Sequence, residues 1–196
     1  DQISSLIVNN KSGNMLIHGT NIIDGTGDAD VAALAGCTHE KGRESDGLMT
    51  PVSLEFHVDR VDKEELLAYQ NEHTSPKLVE IIEDLKQKNI WDFPFDIFVT
   101  VQLHESDIFL VNTLRQTQVD GTRGKDLTYA LIQGRKDVYK LHEIMKQYFP
   151  GFSNSRIRFI ADSLGVRETR SIRGMAHVSL EDALQGKTYL DSVART

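Results

Sequence analysis

The stretch IIDGTGDADVAALAG at residues 22–36 gathers Asp24, Asp28 and Asp30 around Gly25, Thr26 and Gly27, just before a short apolar run. Its residue types read as a strand (Ile22, Ile23) delivering the chain to a turn and then to a helix starting near Ala29. Glycines at 25 and 27 remove the side chains that would keep a ligand away from the backbone. Asp28 is placed to cap the helix, whose first amides favour an anion. A diphosphate suits that geometry, but carboxylates repel phosphate, which leaves Asp28 or Asp30 to bond a hydroxyl or to cap the helix. Two other readings stay open here. One is a plain strand, turn and helix with no ligand; the other is a carboxylate metal loop from the three aspartates, which lacks the later ligands of a calcium loop.

The elements around this turn are mixed α and β. Residues 3–8 (ISSLIV), the polar NNKSGN and then MLIHGTNIID read as strand, turn and strand. VSLEFHV at 52–58 alternates as a half-buried strand, with Val52, Leu54, Phe56 and Val58 on one face. PKLVEIIEDLKQKN at 76–89 reads as a helix with Pro76 in its first turn and an apolar stripe of Leu78, Ile81, Ile82 and Leu85. FDIFVTVQL (95–103) and DIFLVNTLRQT (107–117), joined by HES, read as an antiparallel hairpin. From Leu127 the residues Leu131, Gly134, Val138, Leu141, Met145 and Tyr148 repeat at helical spacing, and PGF at 150–152 ends the run. Gly134 on that stripe costs about 1 kcal/mol against alanine, which implies close approach to another element. RIRFIADSLGVRETRSIRGMAHV supplies short β-like pieces, and Ser179 with Asp182 marks the start of a last helix, LEDALQG.

Composition removes several function classes. The chain has 196 residues, 39% hydrophobic and 26% charged, enough for a sizeable core in one or two domains. Its net charge of −7, with lysines and arginines dispersed among acids, gives no field for a nucleic-acid backbone. No apolar run reaches the roughly 20 residues of a membrane span. The single cysteine, Cys37, forms no internal disulfide and cannot by itself ligate an iron–sulfur cluster, so a reducing, cytoplasmic setting is expected. Cys37 is expected to be packed. Trp91, Phe93, Phe95 and Phe98 are expected to form a core cluster, not a pocket lining. The helix at 127–148 packs by default on the neighbouring sheet, with homo-oligomerisation through it as the alternative.

Several of these segments resemble, in order, the motifs of one family. IIDGTGDADVAALAG, KGRESDGLMTPVSLEF, NTLRQTQVDGT, GRKDVYKLHEIMKQYFPGF and LGVRETRSIRGMAHVSLEDALQGKTYLDSVAR are similar to successive stretches of a large bacterial family of FAD-dependent oxidoreductases. That family is distantly similar to fumarate reductase flavoproteins. The resemblance runs from Ile22 to Arg195. It implies an α/β fold, α+β in the insert: residues 1–48 as part of a Rossmann-like FAD-binding subdomain, 49–160 as a substrate-domain insert of antiparallel sheet with packed helices, and 161–196 as a segment returning toward the FAD domain. It also implies that the first βαβ unit, with its G-x-G-x-x-G loop, lies before Asp1 and a closing flavin-contacting segment after Thr196. The expectation is therefore an internal piece of an oxidoreductase, inactive by itself.

On that resemblance FAD is the cofactor, and Gly25, Thr26, Gly27, Asp28 and Asp30 are its expected contacts, at the diphosphate or the adjacent ribose. A small polar substrate, carboxylate-bearing among the options, would be met by Arg167 and Arg170 of RETR and by Arg115 of NTLRQ. Guanidinium forks grip oxyanions in bidentate fashion, and a cation beside the ring stabilises reduced anionic flavin. The structural alternative is an ion pair between Glu168 and one of these arginines. His57 and His104 are the candidate proton donors near neutral pH. No metal is expected. The competing class is a non-catalytic module holding a sugar, nucleotide or metal at the GTGDAD turn.

Overall fold

The computed structural model describes residues 3–104 and 107–190. In chain order the elements are β1 (Leu6–Asn10), β2 (Gly13–Ile17), α1 (Asp30–Leu34), β3 (His39–Lys41), β4 (Val52–Ser53), β5 (Phe56–Asp59), α2 (Lys63–Glu72), α3 (Val79–Gln87), β6 (Thr100–Gln102), β7 (Phe109–Val111), β8 (Arg115–Gln116), α4 (Gly124–Tyr148), β9 (Arg156–Ile160), β10 (Arg170–Ile172) and α5 (Leu180–Leu184). The chain divides into two compact units, residues 1–40 with 170–196 and residues 41–169. No described helix is long and apolar enough to cross a membrane.

The first unit is built from short pieces. β1 and β2 form an antiparallel hairpin whose register runs from Leu6 opposite Ile17 to Asn10 opposite Gly13. Gly13 takes φ +100° at the turn, a value that glycine reaches without strain. β10 pairs with β3. The expected strand at Ile22 and Ile23 does not form: β2 ends at Ile17, and both isoleucines are exposed. α1 starts at Asp30 after Ala29 in the left-handed region, φ 53°. α5 begins at the expected place, where Ser179 Oγ accepts from Asp182 N and the Asp182 carboxylate accepts from Ser179 N. Cys37 is exposed, not packed, because the chain leaves α1 through Gly36 at φ +84° and carries the next residue outward.

The second unit holds the core. Its main sheet has the order β6-β7-β5-β9, antiparallel throughout. The expected single strand at 52–58 is two strands. β4 pairs with β8 and bridges to Gly165, while β5 pairs with β7 and β9, so the run switches sheets at Leu54–Glu55. Its inward face survives the switch: Val52, Leu54, Phe56 and Val58 are all at most 1% exposed. Alternation of side chains is set by the extended backbone, whichever partner supplies the hydrogen bonds.

The hairpin of β6 and β7 forms with Thr100 opposite Val111, but it is shorter than the β-rich runs suggested, and Glu105 and Ser106 of its HES connection lie outside the described residues. Phe95 and Phe98 stay out of the strand. The 91–98 segment folds onto the core, where Trp91 Nε1 donates to Phe95 O at 2.8 Å and Trp91 meets Phe93 edge-on at 5.2 Å. The aromatic cluster is thus core, as expected. α3 begins at Val79, not at Pro76. Leu78 at φ 53° precedes it, and the buried Ser75 supplies the oxygen that accepts from Val79 N.

α4 runs three residues further toward the N-terminus than its periodicity required and buries Gly134, Val138, Leu141 and Met145. A Cβ on Gly134 would lie 3.1 Å from Leu54 Cδ2, which accounts for a glycine on this stripe. Tyr148 falls off the buried stripe and is 39% exposed. The helix stops before Pro150, and Gly151 at φ +83° turns the chain so tightly that its missing Cβ would sit 2.3 Å from Asp62 O.

Candidate functional site

In the first unit the GTGDAD turn is organised by Asp24. Its Oδ1 accepts from Thr26 N at 3.0 Å and from Thr26 Oγ1 at 2.7 Å, while Oδ2 accepts from Ala32 N at 2.8 Å. The Thr26 amide bond above all, with those of Ala32 and the Thr26 hydroxyl, holds the Asp24 carboxyl below its ordinary range. Thr26 Oγ1 in turn accepts from Asp30 N at 3.0 Å. The expected capping role of Asp28 is therefore corrected: Thr26 and Asp24 satisfy the first amides of α1, and Ala29 at the cap position makes no side-chain bond. The anion expected at those amides is corrected with it, since Asp24 already brings a carboxylate there and α1 is only five residues long.

Arg170 closes the turn. Its Nη1 donates to Asp28 O at 2.8 Å and to Asp30 Oδ1 at 2.6 Å, and its side chain is 16% exposed. Gly25, Thr26 and Gly27 remain on the surface. Gly27 has φ +81°, a conformation that itself asks for glycine, but Gly25 has no such φ, and a Cβ there would meet nothing within 4 Å. Among the described residues no contact accounts for a glycine at 25. Among the described residues no three His, Cys, Asp or Glu side chains are grouped to hold a metal ion.

In the second unit, Arg115 and Arg167 both adjoin Ser53 of β4. Arg115 is the antiparallel partner of Ser53, so their side chains share a face of the ladder. From the other side, Arg167 Nη2 donates to Ser53 Oγ at 3.0 Å. Gly165 exchanges backbone bonds with Ser53 at 3.1 and 2.8 Å. Ser53 is 2% exposed, while both arginines are exposed. On the opposite face of the same ladder, Gln116 Nε2 donates to Asp137 of α4 at 2.7 Å. The alternation of β8 thus sends Gln116 to the helix and Arg115 away from it.

Glu168 does not pair with Arg167 or Arg170. Its Oε2 accepts from Thr50 Oγ1 at 2.5 Å and from Thr50 N at 2.8 Å, and these bonds hold its carboxyl below the usual range. Nearby, Lys41 Nζ lies 2.7 Å from Asp120 Oδ2. Burial pushes the Asp120 carboxyl up, but the Lys41 ammonium and the Thr122 hydroxyl and amide outweigh it and hold the group at about 2. A Cβ on Gly121 would fall 2.8 Å from Thr169 Cγ2 and 2.9 Å from Val166 Cγ1, so the DGT turn at 120–122 packs against the VRET segment.

Of the sequence-derived residues, then, Arg115 and Arg167 each adjoin Ser53, and Arg170 is bound within the first unit. His57 stands elsewhere, on the outer face of the main sheet, its ring 5.5 Å from that of Phe159. His104, at φ 52°, is exposed in the turn that follows β6. Sequence reasoning missed Asp24 as the organiser of its turn and Ser53 as the residue between the arginines. The signal for Asp24 was present: Asp-Gly-Thr occurs again at 120–122, and there Asp120 Oδ1 accepts from Thr122 N at 2.9 Å and Oγ1 at 2.6 Å. This is the bonding of Asp24 repeated. Ser53 gave no signal beyond being a polar position in an alternating strand.

No curated protein and no solved structure matches the chain. A family model described as FAD dependent oxidoreductase matches residues 1–196, the entire sequence. The chain belongs to the FAD-dependent oxidoreductases, and the cofactor of that family is FAD.

Proposed function

We propose that this chain contributes the Gly25–Asp30 turn as one FAD contact and the Arg115–Arg167 pair as the anchor of a small polar substrate in a flavin-dependent oxidation or reduction. FAD, when bound, supplies the two-electron chemistry. The protein's own residues do the rest. Gly25, Thr26 and Gly27 offer an uncovered backbone, Asp28 and Asp30 offer acceptors for the hydroxyls of a ribose or ribityl chain, and Arg170 holds the turn in shape. Three aspartates in one turn disfavour a phosphate there, so the hydroxyl-bearing part of FAD is the better match. Arg115 and Arg167 orient an anionic group, and His57 is kept as a candidate proton donor. The sequence contains no G-x-G-x-x-G loop, so the diphosphate site is supplied by residues other than these. We therefore assign turnover to a protein that contains both this chain and such a loop, with a reducing, cytoplasmic setting.

The observation that carries the reading is the open Cβ position of Gly25 beside a turn locked by Asp24, Thr26 and Arg170. It gives a direct test. Gly25→Val finds free space within the chain and should leave the melting temperature unchanged, yet its side chain would stand where FAD must approach. Purified full-length protein carrying Gly25→Val should lose most of its bound FAD. Full flavin content in a normally folded variant would remove the turn from the cofactor site.

A further inference from the structure

The two guanidinium groups of the second unit are not simply two surface cations. Each adjoins one buried residue, Ser53. Arg115 reaches the same ladder face as Ser53 through the β4–β8 register, and Arg167 is tied to the hydroxyl itself at 3.0 Å. The arrangement depends on Gly165, whose missing Cβ would lie 2.9 Å from Ser53 Oγ. Any side chain at 165 would push the hydroxyl.

A serine hydroxyl has one hydrogen to donate and two lone pairs to accept. Ser53 Oγ spends one lone pair on Arg167, and its hydrogen has no acceptor among the described residues. A hydroxyl at 2% exposure with an unspent donor is costly unless an acceptor arrives. The guanidinium of Arg167 has its remaining N–H groups unspent among the described residues, and Arg115 has its whole fork. Arg167 thus bonds Ser53 Oγ and Arg115 is the cross-strand partner of Ser53, and among the described residues no carboxylate bonds to any of the three: Glu168 is held by Thr50 and Asp137 by Gln116.

From this we infer that Ser53 is a positioning residue: it fixes the Arg167 fork opposite Arg115 and donates its own hydroxyl, so that the trio seats a single planar carboxylate of the substrate. A neutral polyol leaves two cations unneutralised, whereas a carboxylate accepts from both forks and the hydroxyl at once. The inference rests on the reading that these arginines face substrate, and it adds the substrate class and the residue that sets the geometry.

The test uses the full chain and the guanidinium Nε–H resonances of Arg115 and Arg167, with succinate as the probe and its neutral diamide as the control. Both resonances should shift saturably with succinate and not with the diamide. Ser53→Ala should weaken the succinate affinity about tenfold, the scale of one hydrogen bond to a charged group. Ser53→Thr, which keeps the hydroxyl, should restore most of it. Gly165→Ala provides an independent route to the same loss by displacing Oγ without removing it. Succinate shifts of wild-type strength in both Ser53→Ala and Gly165→Ala would overturn the role of Ser53 while leaving the arginines as substrate ligands. Resonances of Arg115 and Arg167 that ignore succinate in the unmodified chain would overturn both readings together.

Discussion

Arg170 Nη1 lies 2.6 Å from Asp30 Oδ1 and 2.8 Å from the main-chain oxygen of Asp28, joining the two ends of the first unit across some 140 residues of sequence. The GTGDAD turn is thereby held from outside by a cation and from inside by Asp24. Its shape does not depend on a long helix behind it, since α1 has only five residues.

Removing that cation should loosen the turn without touching the other core. Arg170→Ala is expected to weaken FAD binding by about tenfold, the scale of one charge-assisted hydrogen bond. The far-ultraviolet spectrum and the cooperative unfolding of the second unit should stay as they are. Fluorescence titration with FAD checks the first expectation, and unchanged affinity would separate the turn from the cofactor.

Acid should release the DGT turn at 120–122. The Asp120 carboxyl is held at about 2 in the folded chain against 3.8 for the free side chain. Its contribution to stability is complete above pH 4 or so and is lost as pH falls through the folded value. Asp120→Asn should flatten the acid limb of the stability curve between about pH 4 and 2. A carboxyl carbon titration of Asp120 centred near 4 would contradict the account.

His142 works over a different range. It is buried on α4, with Nε2 at 3.1 Å from Ser155 Oγ, and that hydroxyl donates to Phe152 O, so Nε2 carries the hydrogen. Burial pushes the imidazole below its ordinary 6.5, and Lys146 adds to the shift while Glu143 opposes it. The unfolded chain then takes up the proton first. Stability is full above about pH 6.5 and declines as pH falls toward the folded value. His142→Gln should remove that slope, which urea midpoints measured from pH 8 to pH 5 will read directly.

Gly151 should tolerate no side chain. It combines φ +83° with a Cβ position 2.3 Å from Asp62 O, and Asp62 N bonds back to Gly151 O at 2.9 Å. Gly151→Ala is expected to cost roughly 2–3 kcal/mol or more, from strain in the left-handed region plus displacement of the start of α2. The urea midpoint should fall with little change in slope. A neutral result would mean that the α2 start and the 149–152 turn are free to move apart.

Where local pattern and packing agreed, the sequence was legible. α4 announces itself because about six turns of periodicity dominate any local signal. The capping box at Ser179 and the aromatic core also follow from residue types alone. What was hidden depended on partners far away in the chain. The break between β4 and β5 is imposed by β8 and Gly165 on one side and by β7 and β9 on the other, and alternation cannot report it. The same reason conceals Ser53, whose importance comes from residues 115, 165 and 167. Arg167 and Arg170 sit three apart in one motif, yet one is bound to Ser53 and the other to Asp30, because the chain passes between units at Thr169–Arg170. Pro76 and Asp28 misled for the opposite reason: each is a good local start signal, and each lost to side chains upstream, Ser75 for Val79 N and Thr26 with Asp24 for Asp30 N and Ala32 N.

The most direct measurement is the visible absorption spectrum of the full-length protein that contains these 196 residues, taken as purified and again after heat release of any bound cofactor. The account predicts a flavin band, with FAD in the released fraction and a sharp loss of both in Gly25→Val. A folded, colourless protein that also fails to take up added FAD would contradict it.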